Sequence, residues 1–186
     1  AHVNYTPENP LTGILLCING SGSQYRFIRQ IIGDNSLSYS DMEQAAGTVA
    51  IGSDGVTVLP FGNGAERMLG NRTPGSRMLG LHFNRHDICD LFRATLEGIA
   101  FAFVYGMEAL RDMHIPVKML RVGNDNLFQS AIFSNTIATL VGSEDLPLKL
   151  ELALRIAVGL GDHREAVTGL DGALERLRIL LQIALV

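Results

Sequence analysis

The sequence predicts an α/β domain, on three observations. Two segments each run from a short apolar stretch through a glycine-bearing polar loop into helix-spaced apolar residues. A long amphipathic helix lies between them. Apolar residues make up 47% of the 186-residue chain against 18% charged, enough for a sizeable core in one domain. With so few charges, either part of the surface is meant to be covered, by a partner domain or in a homodimer, or the domain is simply well buried.

The first unit opens with Gly13–Ile18 (GILLCI), an apolar run of strand length. Asn19-Gly20-Ser21-Gly22-Ser23 follows as a loop. From Gln24 to Ile32, Phe27, Ile28, Ile31 and Ile32 recur at helical spacing, and Gly33 supplies a stop. A short helix is expected from just after Ser40 to near Gly47. Ser53-Asp54-Gly55 is a turn signal, and Val56–Phe61 (VTVLPF) reads as a buried strand. Residues 62–80, rich in glycine and arginine, read as one long irregular loop, and such loops are usually functional or disordered.

The long helix runs from Asp87 to Arg111. Ile88, Leu91, Phe92, Leu96, Ile99, Phe103, Met107 and Leu110 fall three or four apart, with Asp87 placed to cap the start. Ala94, Gly98, Ala102 and Gly106 form a low ridge on which a second element can approach closely. Val117–Val122 (VKMLRV) opens the second unit. Gly123-Asn124-Asp125-Asn126 breaks it, and Phe128, Ile132, Phe133, Ile137, Leu140 and Val141 resume helical spacing up to Gly142. Residues 144–160 and 166–185 both read as helical.

The net charge of −4 leaves no electrostatic footprint for nucleic acid or an anionic membrane. Cys17 and Cys89 form no CxxC pair, which argues against a disulfide scaffold or zinc site and fits a reducing, cytoplasmic setting. No charged segment followed by an apolar one opens the chain, so no export signal is expected. The longest apolar stretch contains Arg93, Glu97 and Glu108, which makes it a core helix and not a membrane span.

A strand that feeds a helix through a glycine-bearing loop points unpaired N–H groups at one spot, where the helix dipole also favours an anion. Both loops have this form, although neither has a phosphate-loop lysine motif or a complete GxGxxG. Asp125 opposes direct phosphate contact unless it caps the helix or faces a hydrated metal ion. His82 and His86, four apart and beside Asp87, have the spacing of metal ligands, but a loop-to-helix junction accounts for them equally well. Ser21 and Ser23 lack the setting of a nucleophile. Glu66 beside Arg67 reads as a local ion pair or, more sharply, as an acid.

Four segments together resemble a family. They are GSGSQYRFIRQ, GSDGVTVLPFGNGAERMLGNRTPG, GLHFNRHDICDLFRATLEGIAF and VGNDNLFQSAIFSNTIATLVG. Their order is similar to the second half of the FGGY carbohydrate kinases, xylulokinase-like members most of all, over roughly residues 1–142. Phe27-Ile28-Arg29-Gln30 stands where the family has tryptophan-leucine-arginine-aspartate. Leu59-Pro60-Phe61, Gly64-Ala65-Glu66-Arg67 and Arg72-Thr73-Pro74 match its "pylsGERtP" loop. The run from Arg93 and Ala94 through Leu96, Glu97, Gly98 and Ile99 to Phe101, with His86 ahead of it, matches "h..RA.lEGiaf".

The resemblance implies a ribonuclease-H-like, actin-type ATPase domain with a mixed sheet flanked by helices. It makes residues 1–186 the C-terminal, nucleotide-side domain of a longer two-domain kinase. It implies ATP with magnesium as cofactors, a ketopentose such as xylulose or another sugar or polyol as substrate, and an N-terminal FGGY domain as partner. Nucleotide contacts carry over to Gly22 and Arg26 in the first loop. In the "GGGA.S" loop they carry over to Gly123, Asn124, Asp125 and Asn126, with Ser130 as its serine. The family's catalytic aspartate has no counterpart here, so the chain alone is expected to be inactive. Where the family has three glycines this chain has GNDN, and Ala153–Gly161 replaces its usual glycine-alanine-alanine helix. A non-catalytic domain that keeps the fold for nucleotide binding or assembly is the alternative.

Overall fold

Helix α3 (Ile88–Asp112) is the axis about which the other elements pack in the computed structural model. The structure describes residues 2–4, 8, 11–32, 36–117, 119–123, 125–142, 149–152 and 163–184. In chain order the elements are β1 (His2–Asn4), β2 (Leu11–Gly13), α1 (Ser21–Ile32), α2 (Tyr39–Gly47), β3 (Thr57–Phe61), β4 (Gly75–Leu79), α3, β5 (Met119–Val122), α4 (Ala131–Val141), β6 (Lys149–Leu152) and α5 (His163–Ala184). Helix α3 starts where Asp87 was expected to cap it. The Asp87 carboxylate accepts from Cys89 N–H at 2.7 Å, and Asp90 accepts from Asp87 N–H at 2.8 Å, a reciprocal capping box.

The small-residue ridge of α3 faces inward, with Ala94, Gly98, Ala102 and Gly106 all buried. It lies across β3, whose five residues are buried throughout. A Cβ on Gly98 would strike the carbonyl oxygen of Val58, so only glycine lets helix and strand approach this closely. Phe61, Phe92, Leu96, Ile99, Phe133 and Ile137 fill the core on either side. Phe103, Phe128 and Phe133 meet edge-on at 5.1–6.4 Å and fasten α3 to α4.

The Arg93–Glu97 pair has a structural role. Glu97 is 1% exposed, yet accepts from Gly52 N–H at 3.1 Å, Ser53 Oγ at 2.8 Å and Arg93 Nε at 2.7 Å. Arg93 Nη1 donates to Val49 O at 2.8 Å. A buried carboxylate is tolerated when its lone pairs are filled and a cation faces it. Here the pair ties α3 to the chain leaving α2. The segment that most specifically resembles the kinase family is thus a packing device.

Four expectations are corrected. Residues 14–18 form no strand: β2 ends at Gly13, and Ile14 and Leu15 are 47% and 60% exposed. An apolar run becomes a strand only beside a partner edge, and no described strand runs alongside it. Helix α1 begins at Ser21, not Gln24, with Gln24 N–H donating to Gly20 O at 2.8 Å. Residues 62–80 are not one irregular loop. They contain a single-turn helix at Glu66–Leu69 and strand β4, which pairs antiparallel with β3 from Thr57–Leu79 to Phe61–Gly75. Within 144–160, Lys149–Leu152 is a strand parallel to β5; residues 144–148 and 153–160 lie outside the described residues.

Other expectations hold. Helix α2 ends at Gly47 and α5 covers most of 166–185, while Ser38 and Ser130 prove to cap α2 and α4, roles the sequence reading did not give them. The class is mixed helix and strand with both parallel and antiparallel pairing. Among the described residues, however, the strands form three separate two-stranded sheets and not one continuous sheet. No helix among them is long and apolar enough to cross a membrane.

Candidate functional site

The first turn of α1, the exposed face of α2 and the turn that leads into α4 enclose a cavity of about 560 Å³, within the usual range for a small-molecule site. Gly22 and Tyr25 come from α1, Tyr39, Ser40 and Glu43 from α2, and Asn126, Leu127, Gln129 and Ser130 from the turn. Each contribution follows from local sequence. Gly22 and Tyr25 are three apart on α1, and Tyr39 and Glu43 four apart on α2, so each pair shares a helix face. Asn126 opens its turn at φ +48°, a left-handed conformation that asparagine accepts more readily than most residues.

Glu43 organises the far wall. Its carboxylate accepts from Ser130 Oγ at 2.7 Å and from Ile132 N–H at 2.9 Å. Ser130 Oγ in turn accepts from Phe133 N–H at 3.0 Å. The positive end of α4 is therefore already met by a carboxylate and a hydroxyl. On the near wall, Tyr25 and Tyr39 stack with centroids 5.8 Å apart, and the Arg29 guanidinium lies 5.0 Å over the Tyr39 ring. Burial, with the nearby Glu43 charge and Tyr39 adding to it, pushes the Tyr25 phenol well above the ordinary tyrosine pKa. Neither α1 nor α4 has an acidic residue in its own first turn, so the carboxylate at α4 is one that α2 brings to it. Just before that turn, Asn19 N–H donates to Gly64 O at 3.0 Å, bringing the glycine-rich Gly62–Gly64 turn alongside.

The expected site residues separate into two sets. Gly22 and Asn126, far apart in sequence, line the same cavity, and Ser130 joins them. Arg26 is exposed outside the lining, as are Gly123 and Asp125. Asn124 lies outside the described residues. Asp125 makes no side-chain cap; its carboxylate sits 3.1 Å from where a Cβ on Gly123 would be. Tyr25, Tyr39 and Glu43 were not legible as site residues. Glu43 meets Ser130 across 87 positions, a separation no spacing rule spans.

The other candidates resolve as structure. His86 Nδ1 accepts from His82 N–H at 3.0 Å, and its Nε2 lies 3.3 Å from Asp54, so its ring nitrogens face protein groups. Arg85 also pairs with Asp54 and holds that carboxyl below the usual aspartate range. No group of three or more histidine, cysteine or acidic side chains among the described residues could hold a metal ion. Glu66 is exposed, on a backbone with φ +45°.

Solved structures of sugar kinases share this fold. The fold matches that of xylulose kinase from Rhodospirillum rubrum with a TM-score of 0.65, at 18% identity over 87% of this chain and 38% of that one. A xylulose kinase from Brucella ovis gives 0.65 at 20% identity, covering 85% of this chain and 37% of the other. Plasmodium falciparum glycerol kinase, solved with ADP, gives 0.55 at 21% identity over 87% and 32%. In sequence, the chain is 27% identical over 142 residues to the xylulose kinase of Haemophilus influenzae, which spans 75% of this chain. The resemblance to FGGY carbohydrate kinases, xylulose kinases among them, therefore holds in both sequence and fold. The chain spans about a quarter (27%) of the length of that curated relative. No protein-family model matches it.

Proposed function

We propose that this chain is the nucleotide-side, C-terminal domain of an ATP-dependent sugar kinase, with the ribonuclease-H-like, actin-type architecture of that class. One observation carries the reading. Gly22 and Asn126, drawn from the two loops that the resemblance assigns to nucleotide, line a single cavity although they lie far apart in sequence. Xylulose or another ketopentose is the favoured acceptor, by likeness to the xylulose kinases.

The cavity suits the neutral part of a nucleotide. Among the described residues its only charged lining group is Glu43, which opposes phosphate. The phosphates belong at the first turn of α1, beside the Gly62–Gly64 turn, where backbone N–H groups and the helix dipole favour anions. Magnesium would arrive with the triphosphate and neutralise its charge during transfer. This chain's share of catalysis is positioning: it holds ATP so that the γ-phosphoryl group faces the sugar hydroxyl. The base that takes the hydroxyl proton belongs to the other domain, so this chain alone transfers no phosphoryl group.

Titrating the full-length protein with ADP, and coupling ADP release to added xylulose, tests the reading. Saturable ADP binding and xylulose-dependent turnover are expected. Absence of ADP binding at millimolar concentration would overturn it. Binding without turnover on any sugar or polyol would favour a non-catalytic domain of the same fold, a reading supported by the Asp125 carboxylate folded over Gly123 where the family has glycines.

A further inference from the structure

Tyr25 presents a problem that the fold does not solve. Its side chain is 5% exposed and forms part of the cavity wall, yet its hydroxyl is buried with no hydrogen-bond partner among the described residues. Buried hydroxyls are normally paired, and an unpaired one destabilises the fold that holds it. Gln24 Nε2 is likewise buried without a partner and His86 Nε2 has only Asp54 at 3.3 Å, but of the three Tyr25 alone borders the cavity. The nearby Glu43 carboxylate is turned to other donors, Ser130 Oγ and Ile132 N–H. Burial keeps the phenol protonated, so Tyr25 offers an O–H donor at neutral pH.

We infer that the Tyr25 hydroxyl donates to the nucleoside end of the bound nucleotide, making Tyr25 a nucleoside-recognition residue of this site. The inference rests on the nucleotide reading above and adds to it an orientation. The rest of the lining agrees. Tyr39 supplies an aromatic surface and Leu127 an apolar one, while Asn126 and Gln129 bring amides that both donate and accept. Base and ribose carry acceptors for an O–H donor and a flat face for an aromatic ring. A phosphate would meet the Glu43 carboxylate instead.

The test is titration of full-length wild-type protein and Tyr25→Phe with ADP, adenosine and inorganic tripolyphosphate, alongside melting of the ligand-free forms. Phenylalanine keeps the ring and its stack on Tyr39. ADP and adenosine should both weaken by the same factor, about threefold to tenfold, as for one lost hydrogen bond. Tripolyphosphate should bind both proteins alike, and the ligand-free variant should melt no lower than wild type. Equal binding of ADP and adenosine to the two proteins would overturn the inference while leaving the nucleotide reading intact. So would a weakening confined to tripolyphosphate, or a lower melting temperature, which would show the hydroxyl already employed by the fold. Wild-type protein that binds none of the three would overturn both.

Discussion

The loop before α1 and the loop before α4 look alike in sequence and differ in what the fold does to them. Both carry glycine and polar residues into a helix, and both invite an anion at the helix N-terminus. At α4 the invitation is already answered, since Glu43 reaches over from α2 to accept from Ile132 N–H and Ser130 Oγ. Helix α1, like α4, has no acidic residue in its own first turn, and there Gly22 opens onto the cavity. A helix dipole is a local property, but whether it faces solvent, ligand or carboxylate depends on a residue 87 positions away. Under the proposed function, one loop would take the phosphates and the other the uncharged end of the same molecule.

The largest expected effect breaks the comparison at α1. In the full-length protein, Gly22→Asp should raise the KM for ATP about tenfold or more by like-charge repulsion. The same carboxylate suits a helix N-terminus, and nothing lies within 4 Å of a Cβ at Gly22, so the melting temperature should hold or rise. Loss of ATP binding with loss of stability would point to misfolding. An unchanged KM would remove the phosphates from this turn.

Glu43→Gln sharpens the α4 side. It keeps the shape and exchanges charge-assisted hydrogen bonds for neutral ones, at about 1 kcal/mol of stability or roughly 2–4 °C in Tm. ATP affinity should not improve. Tighter ATP binding on removal of this charge would mean that phosphate competes for the α4 N-terminus, and the two loops would be equivalent after all.

Gly123→Val should change the KM for ATP by less than about twofold, too little to register as one lost hydrogen bond. Gly123 lies outside the cavity lining, is exposed, and its φ is not left-handed. The nearest obstacle to a Cβ is the exposed Asp125 carboxylate, which can turn away. Steady-state kinetics with each substrate varied in turn would reveal a tenfold rise, and such a rise would return nucleotide to this loop.

The smallest effect calibrates the others from a site away from both loops. Arg85 holds the Asp54 carboxyl below its ordinary pKa. A depressed carboxylate stabilises the fold above its unfolded pKa, near 3.8, and that contribution is lost as pH falls through the lower folded value. Asp54→Asn should thus lower Tm slightly at neutral pH and converge with wild type in strong acid. A difference that persists at the lowest pH would show that the carboxylate's charge is not what matters there.

Legibility in the sequence followed the range of the interactions involved. Helix α3 was read closely because helical periodicity and caps are local, Asp87 and Asp90 acting within one turn; in α4 the periodicity was read but not the start, since Phe128 lies in a separate turn ahead of the Ser130 cap. The small-residue ridge was read for the same reason, although its partner, Val58 in β3, was not. Strands fared worse. Ile14–Ile18 has strand composition and finds no pairing edge among the described residues, whereas Gly75–Leu79 lies in glycine- and arginine-rich sequence and becomes a strand because β3 lies alongside. Pairing is a property of two segments, and composition describes one.

The sequence by itself determined the mixed helix-and-strand class, the position and caps of α3, the closeness demanded by Gly98, and the likeness to sugar kinases. Those rest on contacts a few residues apart or on motifs contiguous in the chain. Tertiary structure alone decided that Gly22 and Asn126 share a cavity while Gly123 stands outside it. It also decided that Glu43 closes one helix terminus, and that Tyr25 keeps a buried hydroxyl with no partner among the described residues. Each of these depends on where α1, α2 and the turn before α4 settle against α3. That arrangement is set by the buried core, and no single stretch of sequence encodes it.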